Sequence, residues 1–341
     1  MTVQLLHAGS ARSRTSLGYA VGPPAELRPG PGGEVGVRLY DWPSGVYLAR
    51  VRAGSRVRYA PFVMRPRRFG TARVAVVVPT FTWQAYNFQG RDSWYVDPTV
   101  DTVDLTRPFV GYGLPPHFRS YDLGFLRWLA ASGHAADFYS DSDLGGFRSA
   151  ERLAEVYDLV VFPGHEEYVT TRMYDLIEDY RDLGGNLAFL SANNFFWRVV
   201  YKRDSIVRIA RWRDLDRPEA ALVGGQYVAW NENKFPNVPY VVTGARLAPW
   251  FFDGTGLRND SRFGNYGIEI DSATPDSPRS TEVLARANDV FGKGQSAEMT
   301  YYETPKDARV FAAGAINFGG TADWPAISPL VENLWRHLTT P

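Results

Sequence analysis

The run Val74-Ala75-Val76-Val77-Val78 constrains the fold more than any other feature of the sequence. Five consecutive apolar residues leave no polar face, which is typical of a strand buried on both sides of a parallel sheet. Helical and strand patterns then alternate for about 120 residues and return near the end of the chain. We expect strands over residues 135–139, 159–162, 186–191, 297–302 and 310–313, and helices over residues 121–131, 149–155, 170–183 and 325–338. This alternation predicts a doubly wound α/β sheet.

Three regions of different character divide the chain. Residues 1–33 are rich in Arg, Ser, Gly and Pro without a regular period, and we expect an irregular arm. Residues 34–66 contain short Val-, Tyr- and Arg-rich segments between Gly and Pro turns, which indicates a small antiparallel β module. Residues 71–341 form the predicted α/β domain. Within it, residues from about 195 to 296 lose the period and are interpreted as an irregular insertion with short strands of its own.

Charge and hydropathy exclude several classes of partner. The chain has 37 Lys and Arg residues against 37 Asp and Glu residues, so its formal net charge is zero. Interspersed, balanced charge provides no field for steering onto nucleic acid or an anionic membrane, and we expect neither partner. No apolar stretch approaches the roughly 20 residues of a bilayer span, and none resembles a signal peptide. We therefore expect a cytoplasmic protein, with a homo-oligomer left open.

The absence of cysteine restricts the chemistry further. A chain with no cysteine has no disulfide, no thiolate nucleophile and no cysteine-held zinc or iron–sulfur site. Histidine is scarce, with 5 residues, whereas the chain has 19 Tyr, 20 Phe and 10 Trp. Any metal must therefore be bound by oxygen or imidazole.

Doubly wound sheets bind ligands beyond the carboxyl ends of their strands, and this rule selects the candidate residues. The segment Pro163-Gly164-His165-Glu166-Glu167-Tyr168 follows the predicted strand 159–162. His165 can transfer a proton near neutral pH, and alternation along the turn lets Glu167 point to the same side. An alternative stays open, because carboxylates at a helix N-terminus each stabilise the helix by about 0.3–1 kcal/mol.

Four other residues after predicted strands carry a weaker signal. Tyr86 and Asn87 follow the first strand, but an aromatic residue there more often packs in the core. Asn193 can cap a turn, and Glu303 can pair with a surface lysine.

Three motifs together resemble a known family. In this order and at these spacings they are similar to the carboxyl-terminal part of the large subunit of N,N-dimethylformamidase, over about residue 35 to the end of the chain. The motifs are Trp42-Pro43-Ser44-Gly45-Val46-Tyr47, Thr82-Trp83-Gln84-Ala85-Tyr86-Asn87 and Gly164-His165-Glu166-Glu167-Tyr168. The resemblance implies an amidohydrolase with a mononuclear iron held by two tyrosine phenolates and one glutamate. It also implies that the sheet is of the class I glutamine amidotransferase-like (flavodoxin-like) kind.

Carried over residue by residue, the resemblance assigns the iron ligands. The glutamate falls on Glu167 and one phenolate on Tyr86, while the second phenolate falls on Tyr47, with Tyr40 and Tyr121 as alternatives. Phenolate and carboxylate are hard oxygen donors, which favours Fe³⁺.

The resemblance also assigns the catalytic residues and the partners. His165 and Asn193 orient the amide carbonyl and stabilise the oxyanion, and Glu303 is the remaining catalytic glutamate, acting as general base. The expected substrate is a small-molecule amide or formamide, and a small partner subunit is open. The aromatic residues of the insertion are expected to line the pocket and to favour a larger, more apolar amide; they are Trp197, Tyr227, Trp230, Trp250, Phe251 and Phe252.

Two other functions remain open at this point. The same metal site could serve other C–N chemistry in a biosynthetic pathway, or the chain could be a non-catalytic binding protein on the same fold.

Overall fold

The structure is a computed structural model that describes residues 1–9, 16–31, 34–90, 93–97, 99–234 and 236–340. Its strands are β1 (Thr2–Ala8), β2 (Gly18–Glu26), β3 (Gly45–Ala53), β4 (Arg56–Met64), β5 (Val74–Val78), β6 (Thr102–Asp104), β7 (Asp137–Ser140), β8 (Leu159–Phe162), β9 (Tyr168–Thr170), β10 (Asn186–Phe189), β11 (Trp197–Lys202), β12 (Ser205–Arg211), β13 (Gln226–Trp230), β14 (Asn237–Val242), β15 (Arg262–Gly267), β16 (Glu269–Ser272), β17 (Glu282–Ala287), β18 (Ala297–Glu303) and β19 (Arg309–Ala312). Its α-helices are α1 (Thr80–Ala85), α2 (Phe118–Tyr121), α3 (Leu123–Ser132), α4 (Asp141–Gly145), α5 (Ala150–Ala154), α6 (Thr171–Asp182), α7 (Ala220–Val223), α8 (Pro249–Phe252) and α9 (Ser328–Thr339).

A nine-stranded sheet forms the centre of the molecule, in the order β15-β14-β17-β18-β19-β10-β8-β5-β7. The five strands from β19 to β7 are parallel to one another, and β18, β17, β14 and β15 continue the sheet in antiparallel fashion. We number the five parallel strands in chain order and read them across the sheet from β7 to β19. Their order is then 2-1-3-4-5, which is the flavodoxin-like order of doubly wound sheets.

The valine run forms strand β5 between β7 and β8, and it is buried throughout. Val74, Val76 and Val78 pack into one hydrophobic cluster with α3 and α9, whereas Ala75 and Val77 pack into another with α5 and α6. Alternate residues of the strand thus face opposite layers, which is why the run has no polar position.

The amino-terminal region differs from the expected irregular arm. Strands β1 and β2 pair with β3 and β4 in one antiparallel sheet of order β2-β1-β3-β4, so the prediction for residues 1–33 is corrected. Residues 10–15 and 32–33 of that prediction lie outside the described residues. Within the module, residues 34–40 are not a strand. Leu6 and Ala8 of β1 pack in the main hydrophobic cluster although the surrounding sequence has no period.

The structure of the predicted insertion is also more regular than its sequence pattern indicates. Strands β14, β15 and β17 of this region join the central sheet, and β11 and β12 pair with β6 and β9 in a second sheet. Aromatic residues and frequent Gly and Pro obscure the two-residue period in strands this short. Assignment to the class I glutamine amidotransferase type stays a prediction. In the described part of the chain no helix is both long and apolar enough to cross a membrane.

Candidate active site

Three loops converge at the carboxyl-end edge of the parallel strands. Helix α1 and Tyr86 follow β5, residues 163–167 follow β8, and residues 191–194 follow β10. Because β5, β8 and β10 are parallel neighbours or next neighbours, their following loops meet at one edge.

Hydrogen bonds from neighbouring loops fix the segment that carries His165. The hydroxyl oxygen of Thr82 in α1 accepts from the backbone N–H of Glu167 at 3.1 Å. The carbonyl of Glu166 accepts from the backbone N–H of Phe195 at 2.6 Å. A Cβ at Gly164 would lie 2.3 Å from Oδ1 of Asp122, so this position requires glycine because of close approach.

Three tyrosines surround the carboxylate of Glu167. The hydroxyl of Tyr95 lies 3.4 Å from each of its two oxygens and 2.6 Å from the hydroxyl of Tyr168. The rings of Tyr86 and Tyr95 stack with centroids 4.3 Å apart, and Tyr86 also contributes a hydrogen bond that lowers the pKa of Glu167. Tyr95 is 45% exposed, yet its hydroxyl reaches this buried cluster.

His165 lies beside this cluster. Its Nε2 is 3.4 Å from Oε2 of Glu167 and 3.7 Å from Oε2 of Glu269, and this buried nitrogen has no hydrogen-bond partner among the described residues. Burial lowers the pKa of His165 to about 3, with a smaller electrostatic contribution from His117, so the imidazole is neutral at pH 7.

Glu269 and Asn193 form the opposite side of the cluster. The side-chain amide of Asn193 donates to Oε2 of Glu269 at 2.8 Å, and Oδ1 of Asn193 has no partner in the described structure. Asn193 adopts a left-handed backbone with φ of 55°.

Burial dominates the electrostatics of these acids. It raises the pKa of Glu167 well above its usual value, and the neighbouring charge of Glu269 raises it further. Burial raises the pKa of Glu269 to about 7, against hydrogen bonds from Asn193 and Tyr86 that lower it. The pKa of Tyr86 is likewise raised, first by burial and then by the two carboxylates. The described cluster therefore concentrates acidic oxygen atoms around a neutral imidazole.

Sequence reasoning placed Tyr86, His165, Glu167 and Asn193 at one site, and the structure brings these four together. Tyr47 is elsewhere: its ring stacks against Trp42 and Phe62, and its hydroxyl donates to the carbonyl of Pro43 at 2.8 Å. Its strand β3 belongs to the separate antiparallel sheet, so the expectation that Tyr47 is a ligand is corrected.

In the described structure neither alternative tyrosine is hydrogen-bonded to Glu167. Tyr40 is 59% exposed beside Trp42. Tyr121 is nearer, since the charge of Glu269 contributes to its raised pKa after burial.

Glu303 lies at the opposite edge of the sheet. Strand β18 is antiparallel to β19, so its final residue pairs with Arg309 at the start of β19. There Glu303 accepts a hydrogen bond from Tyr301. The expectation that Glu303 is a catalytic residue is corrected, because its strand runs away from His165.

Tyr95 and Glu269 belong to the cluster but were missed in the sequence. Tyr95 follows a tryptophan in a loop nine positions after Tyr86, without a periodic pattern. Glu269 and Asp271 alternate with Ile268 and Ile270, which is the usual pattern of a strand with one exposed face.

Of the aromatic residues expected to line the pocket, Tyr227 is close enough for Glu269 and Glu167 to raise its pKa in addition to burial. Phe251 and Phe252 instead pack in the core that contains α9.

The side chains at this cluster limit how a metal ion could be held there. No group of three or more His, Cys, Asp or Glu side chains in the described ranges could hold a metal ion. Any metal bound at this cluster would therefore need tyrosine oxygens in addition to the carboxylate of Glu167.

Comparison with known proteins identifies the family. Residues 35–328 match the family model described as "N,N-dimethylformamidase beta subunit-like, C-terminal". The chain belongs to this family. Curated relatives are the N,N-dimethylformamidase beta subunit of Paracoccus aminophilus, at 27% identity, and that of an Alcaligenes species, at 26% identity. Each match covers 46% of this chain and 26% of the relative, so this member of the N,N-dimethylformamidase beta subunit-like family matches about a quarter of the length of those proteins.

Among solved structures, the chain is similar to one described as "mmIFT52 N-terminal domain". The match has a TM-score of 0.43 and 12% identity, and it covers 79% of this chain and 98% of that chain. A similarity at this level has no bearing on the site.

Proposed function

We propose that this chain is an iron-dependent amidohydrolase that cleaves the C–N bond of an amide or formamide. One observation carries the proposal: phenol and carboxylate oxygens of Tyr86, Tyr95 and Glu167 meet beside Nε2 of His165, which has no hydrogen-bond partner among the described residues. The names of the curated relatives support the amide chemistry.

The residues at this site fit a hard cation. All candidate donors are oxygen atoms, and the ion pairs of Glu167 and Glu269 are with His165, which is neutral. Buried acidic groups without compensating charge are costly, and a trivalent cation would supply that charge. Phenolate and carboxylate favour Fe³⁺ over softer metals. We assign the second phenolate to Tyr95 because its hydroxyl lies 3.4 Å from each of the two oxygens of Glu167.

Iron bound here would polarise the amide carbonyl and lower the pKa of a water molecule. The remaining steps belong to the chain. His165 donates from Nε2 to the carbonyl oxygen, which stabilises the negative charge that develops there. Glu269 accepts the proton of the attacking water at its carboxylate and returns it to the departing amine nitrogen. Asn193 holds Glu269 in place through the 2.8 Å hydrogen bond.

The substrate is a small-molecule amide, a class that the names of the curated relatives support. The curated relatives are named beta subunits, which supports a partner subunit for this chain as well.

The first experiment combines iron analysis, a visible spectrum and an amide panel of N,N-dimethylformamide, formamide and benzamide. We expect about one iron per chain, a phenolate-to-iron absorption band and hydrolysis of at least one amide. Tyr86→Phe and Tyr95→Phe should weaken or shift the band, whereas Tyr47→Phe, the matched control, should leave it unchanged. Protein that is colourless and takes up no iron would contradict the proposal and favour a binding protein. Iron without amide hydrolysis would favour other C–N chemistry.

A further inference from the structure

Two carboxylates of strand β16 hold Asn193 at two different points. Oε2 of Glu269 accepts from the side-chain amide of Asn193 at 2.8 Å, and Oδ1 of Asp271 accepts from its backbone N–H at 2.8 Å. Residues two apart on a strand point to the same side, so both carboxylates face the loop after β10. The contact between Asn193 and Glu269 therefore depends on where Asp271 places the backbone of Asn193.

The backbone on both sides of this contact is strained. Asn193 has φ of 55°, and Ile268, which precedes Glu269, has φ of 73°. Asparagine tolerates a left-handed conformation better than most residues, whereas for a β-branched residue such as isoleucine this conformation is exceptional. Backbone strain of this kind persists only where the surroundings enforce it.

Asp271 is well placed to enforce this conformation. It is 1% exposed, its own N–H donates to the carbonyl of Gly314 at 3.0 Å, and it pairs with Tyr227 between β13 and β16. Because its backbone is anchored on both sides, its carboxylate is a fixed acceptor for Asn193.

We propose that Asp271 is a positioning residue for the reaction proposed above, on which this inference rests. It fixes the left-handed backbone of Asn193 and thereby directs the amide of Asn193 and the carboxylate of Glu269 toward His165. Without this acceptor the N–H of Asn193 would be buried and unpaired, and the residue would relax toward a common φ. That rotation would turn its side chain away from Glu269.

The test compares Asp271→Ala, Asp271→Asn and a control, Asp137→Ala. Asp137 is also 1% exposed and accepts a backbone N–H, that of Thr71 at 2.9 Å, but it lies at the opposite edge of the sheet. The measurements are hydrogen exchange of the peptide that contains Asn193, the iron content, and kcat and KM for the best amide of the panel.

For Asp271→Ala we expect exchange at least about tenfold faster and kcat about 10–100-fold lower, with iron content retained and KM within about threefold, as for a small misplacement of a reacting group. Asp271→Asn keeps a carbonyl acceptor, so both quantities should stay within about threefold of wild type. Asp137→Ala should change neither quantity, although it destabilises the fold.

Unchanged exchange or unchanged kcat in Asp271→Ala would overturn the inference. If that variant does not fold, Asp271→Asn decides: wild-type exchange and kcat support the role, and a loss beyond about tenfold refutes it, because the acceptor is still present. Absence of amide hydrolysis in the wild-type protein instead refutes the proposed function, and with it any role in that reaction. The exchange data would then show separately whether Asp271 fixes Asn193.

Discussion

The two edges of the central sheet differ in whether their buried polar groups have hydrogen-bond donors and acceptors as partners. At the amino-end edge, the carboxylate of Asp137 accepts from the N–H of Thr71 at 2.9 Å and from the hydroxyl of Tyr157 at 2.8 Å. At the carboxyl-end edge, neither oxygen of Glu166 has an N–H or hydroxyl donor among the described residues, and the group faces another acid, Asp141.

The histidines show the same contrast. Nε2 of His337, near the amino-end edge, lies 2.9 Å from the hydroxyl of Tyr301. Nε2 of His165, at the carboxyl-end edge, has no such partner in the described structure. Each buried unsatisfied group costs about 1–3 kcal/mol, and native proteins satisfy nearly all of them. A concentration of such groups at one edge indicates that this edge is built to bind something and not to stabilise the fold.

The largest difference between the edges is expected for the glutamates. Glu167→Gln removes a charged oxygen donor from the cluster and should abolish iron binding and lower kcat more than about 100-fold. Glu303→Gln, at the amino-end edge, should leave both within about twofold. Iron analysis and kcat on both variants check this. Equal losses in the two variants would contradict the assignment of function to one edge.

The histidine pair should give the next largest effect. His165→Gln removes the imidazole donor from the reacting carbonyl, and we expect kcat to fall by about 100–1,000-fold. His337→Gln should leave kcat unchanged, because that ring stacks on Trp250 with centroids 3.7 Å apart, at the other edge. If His337→Gln were as inactive as His165→Gln, the two edges could not be separated in this way.

The buried carboxylates should differ in their effect on stability. Burial raises the pKa of Glu166, whose contact with Asp141 depends on a retained proton; Glu166→Gln supplies a permanent N–H donor to the carboxylate of Asp141, and we expect it to raise the free energy of unfolding by about 1 kcal/mol. Asp137→Asn turns a donor group toward existing donors and should lower it by about 1–3 kcal/mol. Urea denaturation measures both values. A destabilised Glu166→Gln variant would mean that the carboxylate of Glu166 already has a hydrogen-bond donor in the folded protein.

The smallest effect is the pH dependence of stability that His337 contributes. Burial, together with Arg309, lowers the pKa of the folded-state imidazole to about 4, against about 6.5 in the unfolded chain. Between these values the unfolded state binds more protons, so this contribution to stability is present above about pH 6.5 and is lost as the pH falls toward 4. The half-buried position keeps the effect small.

His337→Gln removes this titration and keeps an amide that can bond Tyr301. Urea denaturation near neutral pH and near pH 5 should show a smaller loss of stability for the variant than for the wild type. An identical loss in both proteins would show that His337 does not carry this pH dependence.

Local sequence determined the central part of this fold. The valine run, the strand at residues 159–162 and the long helices are present within a few residues of their expected bounds. Their residues are buried in patterns that follow directly from a period of two or 3.6, and the carboxyl ends of parallel neighbours must meet. The strand-end rule therefore brings together the segments that carry Tyr86, His165, Glu167 and Asn193, and the family resemblance singles out these residues within them.

Only the tertiary structure decided the rest of the site. Because β18 is antiparallel to β19, Glu303 lies at the amino-end edge of the sheet. Tyr47 lies in the separate antiparallel sheet, away from Glu167. Glu269 and Tyr95 belong to the cluster instead. The local pattern around Glu269 indicates a strand with one exposed face, and that around Tyr95 indicates a loop. Sequence periodicity reports which side of an element is buried, but it does not report which distant element covers that side, because that depends on strand direction and on contacts between residues far apart in the chain.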